Sequence, residues 1–106
     1  MMTKLCTNRE QSKVLMNYVP ITSADMFWAP ESEVPMTRCS ELTGDDIPAW
    51  SLPALLRLIP RPILTNHRDG SWNCAAFNKI NHFIEDYTSN DPIDACYGLL
   101  KVLGEW

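Results

Sequence analysis

The chain of 106 residues carries a formal charge of −4, with 45% hydrophobic and 21% charged residues, a composition that fits one ordinary globular domain and leaves no room for a second core. The acidic balance leaves no excess of Lys and Arg to neutralise phosphates, so nucleic-acid and anionic-membrane binding are disfavoured. No apolar run approaches the ~20 residues that span a bilayer, and the polar start Met1-Met2-Thr3-Lys4-Leu5-Cys6-Thr7-Asn8 lacks the apolar core of a secretory signal, so the expected location is the cytoplasm.

In chain order, the first expected helix covers about residues 8–18, with Thr7 and Glu10 at the capping-box spacing and Val14, Leu15 and Tyr18 as its apolar stripe. Val19-Pro20 stops it, because proline disfavours α geometry in the preceding residue. Residues 21–46 hold Pro30, Pro35 and scattered acids without a sustained period. They read as irregular, with one short strand near residues 26–28.

A second helix starts at Ser51, a capping residue, with Pro53 tolerated in the first turn. Leu52, Leu55, Leu56 and Ile59 fall at i, i+3, i+4 and i+7, the spacing of one buried helical face, and Leu56 is read as core. Pro60 and Pro62 end the helix. Strands follow at about residues 63–65, 72–77 and 80–87, with Asp69-Gly70 as the hairpin signal and a tight turn at Asn78-Lys79. In the third run strand alternation puts His82 and Asp86 on one face and Phe83 and Glu85 on the other, so neither face is clearly apolar.

The last helix has the strongest signals: Asp91 as N-cap, Pro92 at the first helical position and Asp94 near the positive dipole end. It is expected to run to about residue 103. Ile93, Cys96, Tyr97, Leu100 and Leu103 form one apolar stripe, and Ala95, Leu99, Val102 and Trp106 a second. One side can take a sheet; the other needs the second helix or another protein chain. The fold class that results is α+β: about three helices and a small antiparallel two- or three-stranded sheet, a single layer of helices on sheet, within one domain over 1–106.

Chemistry is sparse. The chain has no G-x-S-x-G elbow, no glycine-rich phosphate loop and no H-E-x-x-H. Cys6, Cys39, Cys74 and Cys96 lack zinc-ligand spacing and are expected as free thiols; an oxidising compartment would allow two disulfides whose pairing the spacing does not decide. His67 reads as a loop residue, and His82 with Asp86 is the one pairing that suggests a ligand or catalytic pocket. Asp45-Asp46 lacks the alternating oxygen ligands of a calcium loop. No catalytic, cofactor-binding or metal-binding residue is assigned. Clustering of Asp25, Glu31, Glu33, Glu41, Asp45 and Asp46 on one surface would revive nucleic-acid mimicry.

The run from Asp46 to Leu56 (DIPAWSLPALL), the later Asp91-Pro92-Ile93-Asp94-Ala95 and the early Ser23-Ala24-Asp25-Met26-Phe27 resemble a family of small uncharacterised proteins of prophages and mobile elements in gut bacteria. Pro53 departs from that pattern. The resemblance implies a cytoplasmic bacterial protein with no activity to transfer. Trp28, Trp50, Trp72 and Trp106 are many large rings for one small core, and with the two-sided last helix they lead to one expectation. The chain is read as a noncatalytic protein-binding or assembly protein, with Trp106, Leu99 and Val102 as the candidate partner surface and a homodimer as one form. The alternative is a small enzyme or ligand-binding domain with its pocket near His82 and Asp86.

Overall fold

A computed structural model describes residues 4–37 and 45–104. Cys39, Glu41 and Trp106 fall outside the described residues. The first helix, α1, spans Arg9–Leu15. Its capping box is Asn8 with Gln11: the Asn8 side chain accepts from the Gln11 amide at 2.8 Å, and the Gln11 side chain accepts from the Asn8 amide at 3.0 Å. The box sits one residue later than the expected Thr7 and Glu10, because Thr7 is buried and its hydroxyl is engaged elsewhere. The helix also ends earlier than expected. Asn17 and Tyr18 donate to Val14 and Leu15 in tighter i−3 bonds, which leaves Tyr18 exposed rather than in the stripe.

Residues 21–37 are more structured than their sequence suggests. After a 3-10 turn at Ile21–Ser23, strand β1 (Met26–Trp28) lies where a strand was expected, between β2 (Met36–Thr37) and β3 (Ile47–Ala49), in an antiparallel sheet ordered β2-β1-β3. Pro48 is accommodated because β3 is an edge strand, where a missing amide donor breaks no central ladder.

Ser51 caps α2 (Leu52–Leu58) by accepting from the Ala54 amide, with Pro53 inside the first turn. The second sheet has the antiparallel order β4 (Ile63–Asn66), β5 (Trp72–Phe77), β6 (Phe83–Ser89). Two sheets therefore stand where one was expected. In the β4–β5 turn Gly70 adopts a φ of 92°, which glycine reaches without steric cost, and Asp69 accepts from both the Ser71 amide and hydroxyl. Those bonds hold the Asp69 carboxyl below its usual range.

The closing helix α3 (Pro92–Gly104) packs against β5 and β6, and α2 packs against α3. Asp91 Oδ1 accepts from the Ile93 amide at 2.8 Å, and its other carboxylate oxygen accepts from the Lys4 amide at 3.0 Å. The first two turns of α3 find cover within the chain, whereas Val102 of the second stripe stays 41% exposed. Leu99, expected on a partner surface, is 0% exposed because α2 and the sheet enclose that stretch of helix. Trp50, Leu55, Ile93 and Leu15 are likewise fully buried in the same cluster. Leu56, read as core, is only partly buried at the edge of that cluster.

Two expected outcomes follow for urea denaturation. Leu55→Ala should cost about 2–5 kcal/mol, as for other enclosed leucines, and Leu56→Ala clearly less; equal losses would contradict this packing. Asp91→Ala should cost about 0.5–2 kcal/mol, and Asp91→Asn less, since an amide oxygen can still accept from Ile93. An Asn variant as unstable as the Ala variant would remove the capping role.

Candidate functional site

The proposed pocket at His82 and Asp86 does not assemble. The β5–β6 turn is longer than expected: the Asn78 side chain accepts from the Ile80 and His82 amides, Asn78 N–H donates to His82 O, and Asn81 takes a left-handed φ of 62°. His82 therefore lies in the turn, exposed, and not on a strand face. Pairing then slips between Ala76, opposite Glu85, and Phe77, opposite Phe83. Ile84 is left without a residue opposite it, as in a β-bulge. The slip reverses the alternation, so Phe83 shares the outward face of Asp86. Asp86 itself accepts from Asn73 Nδ2 at 3.0 Å, an arrangement that fastens strands and offers no paired acid and base.

The same slip builds a surface that alternation alone conceals. Phe77 and Phe83 meet edge to face with ring centroids 5.9 Å apart, a favoured aromatic geometry. Ile63, one row along the sheet, shares a shallow depression with Phe77, Arg61, Pro62 and Asn81. Ile63 is 54% exposed, Phe83 57% and Ile80, in the turn, 69%. Arg61 donates to Asn81 Oδ1 at 3.0 Å, which ties the start of β4 to the turn. The result is an apolar tip on the face of the second sheet opposite α3. Residues 59–64 and 77–84 contribute Arg61 and Lys79, while Asp86, on the same outward face, opposes Ala75 in the row of Ile63, so the tip has basic side chains at its turn end and a carboxylate at the other. The sequence does carry one trace of it: Ile80, Phe83 and Ile84 are too closely spaced to alternate.

A second concavity, a polar groove of about 540 Å³, opens between the start of α1, β6 and α3. Gly98, Tyr87, Tyr97, Lys4, Asp94 and Lys101 are among the residues that line it. Asp94 Oδ1 receives both Lys4 Nζ and Gln11 Nε2 at 2.7 Å, so this carboxylate joins α3 to the N-terminal segment. Lys101 Nζ stands 5.6 Å from the Tyr97 ring centroid. Burial pushes the Tyr97 phenol up. Val102, part of the expected partner surface, is 41% exposed and also lines this groove.

Other candidate chemistry is likewise absorbed by structure. Burial, with the nearby Asp25 charge, pushes the Cys6 thiol up to about 11, so it is protonated and a poor nucleophile at neutral pH. Asp25 accepts from the Ser51 amide at 2.9 Å and from its hydroxyl, which takes it out of any acidic surface array. Among the described residues, no three His, Cys, Asp or Glu side chains gather into a metal site, and no helix is long and apolar enough to cross a membrane.

Gly98 and Tyr87 define a testable contact. A Cβ at Gly98 would lie within 2.7 Å of three Tyr87 ring carbons, closer than carbons approach, so Gly98→Ala should cost about 1–3 kcal/mol. In a Tyr87→Ser background most of that cost should vanish. A double-mutant cycle by urea denaturation measures the coupling, and equal costs in both backgrounds would mean that the ring does not rest on the glycine.

Comparison with family models, with curated proteins and with solved structures finds no match to this chain.

Proposed function

We propose that this chain is a noncatalytic binding protein whose contact surface is the apolar tip of its second sheet, and that its partner is a protein segment carrying apolar side chains flanked by carboxylates. The observation that carries the reading is the exposed cluster of Phe83, Ile63 and Ile80 beside the Phe77 ring, set among Arg61, Lys79 and His82. Exposed apolar clusters of this kind mark interaction sites, and aromatic and arginine side chains dominate binding energy where they are found. Arg61 and Lys79 at the turn end of the cluster favour carboxylates of the partner at that end, with Asp86 at the opposite end of the same face. The proposal keeps the protein-binding role expected from the sequence and moves it from α3, where Leu99 is enclosed, to the sheet. It includes an origin in a prophage or other mobile element and action in the bacterial cytoplasm, as the resemblance of residues 46–56 and 91–95 implies.

Backbone amide NMR of the labelled protein tests it. A synthetic peptide alternating Leu or Phe with Glu should shift resonances of residues 61–64 and 77–84, and the same peptide with Lys for Glu should not. Phe83→Ser and Arg61→Gln should each weaken the effect roughly tenfold, on the scale of a moderate hot spot, with unchanged far-ultraviolet circular dichroism. Three results would overturn the reading: shifts confined to another surface, equal response to the basic peptide, or tip shifts produced only by phosphatidylserine vesicles or by raising the protein's own concentration.

A further inference from the structure

Cys74 lies on β5 and Cys96 on α3, and both are 0% exposed. The Cys96 thiol donates to Cys74 Sγ with the two sulfurs 3.4 Å apart. Among the described residues, each is the other's sole polar partner. A disulfide requires about 2.05 Å between sulfurs, so closure asks for about 1.4 Å of approach between side chains already in contact. We propose that Cys74 and Cys96 form a reversible internal disulfide that locks α3 to the second sheet.

The chemistry is thiol–disulfide exchange with a low-molecular-weight disulfide such as oxidised glutathione. In one order of events, deprotonated Cys74 attacks one sulfur of the small disulfide, forms a mixed disulfide and expels one small thiolate. Cys96, its proton passing to that thiolate through solvent, then attacks the Cys74 sulfur and expels the second small thiolate, which takes the proton that Cys74 gave up. Two electrons and two protons leave the protein, and one small disulfide becomes two thiols. In the closed state the hydrogen bond from Cys96 favours the Cys74 thiolate and draws its titration down, whereas Cys96 is pushed up by the same bond and by burial; opening breaks that bond, so either thiol can attack first. Because both sulfurs are enclosed, exchange in the folded protein proceeds through opening of α3 from β5. The bond links residues 22 apart in sequence, a span long enough to restrict the unfolded chain substantially.

Incubating the full native chain with oxidised glutathione, and in a parallel arm refolding it from urea in the same redox buffer, tests the proposal. The expected product is about 2 Da lighter by intact mass, yields a Cys74–Cys96 peptide on non-reducing digestion, and melts higher by on the order of 10 °C; dithiothreitol should reverse all three. Cys74→Ala and Cys96→Ala, both compatible with a small apolar site, should abolish the mass loss. Formation only in the refolding arm supports the pairing and places the access barrier in the folded state. Retention of all thiols in both arms, stable glutathione adducts at Cys74 or Cys96, or a digest dominated by another pairing would overturn it.

Discussion

Thr7 is the point on which the N-terminal half of this structure is hung. Its amide donates to Trp50 O at 2.9 Å, its hydroxyl accepts from the Trp50 amide at 3.1 Å and contacts Ser12 Oγ at 2.8 Å, and its carbonyl accepts from Trp28 Nε1 at 2.9 Å. Thr7 and Ser12 are both fully buried. Each of these groups, left unpaired in that setting, would cost about 1–3 kcal/mol, so together they demand one arrangement of α1, β1 and the residues after β3. The network continues outward: the Trp50 indole donates to Ser23 Oγ at 2.9 Å, and Ser51, held by Asp25, caps α2. A single buried threonine thereby relates the first sheet to the helix that covers α3.

That role explains which parts of the fold were legible in the sequence. Ser51 with Pro53, and Asp91 with Pro92, announce α2 and α3 because the cap and the proline act within one turn of chain. Asp69-Gly70 and β5 are equally local. The α1 cap is different: Thr7 and Asn8 are both competent caps, and each has a suitable partner three residues on. The choice between them is made by Trp50, some forty residues away, which claims the threonine hydroxyl. The first sheet was mostly hidden because β2 and β3 are too short for a period, and Pro48 argues against a strand anywhere except at an edge.

The candidate site was the least legible part, for a related reason. Strand alternation predicts side-chain direction only while pairing stays in register, and the slip at Ile84 breaks it within the segment where His82, Phe83 and Asp86 had to be assigned. The two-sided pattern of α3 implies cover on both sides, and the structure gives it to Leu99 but leaves Val102 41% exposed. Pattern does not say whether the cover comes from the same chain, and here α2 supplies it over Leu99. Only the packed structure could transfer the exposed apolar surface from the helix to the sheet.

The contact between Lys4 and Asp91 also has a meaning in time. The two residues lie 87 apart in sequence, and α3, which supplies Ile93, Cys96 and Leu99 to the core, is the last of the described elements to leave the ribosome. At roughly 5–20 residues per second of synthesis, Lys4 waits about 4–17 seconds for its partner to be made. Throughout that interval the inner face of the second sheet and the apolar side of α2 lack the helix that encloses them. Until it arrives, the Lys4 amide and the Asp91 carboxylate cannot join the N-terminal segment to α3.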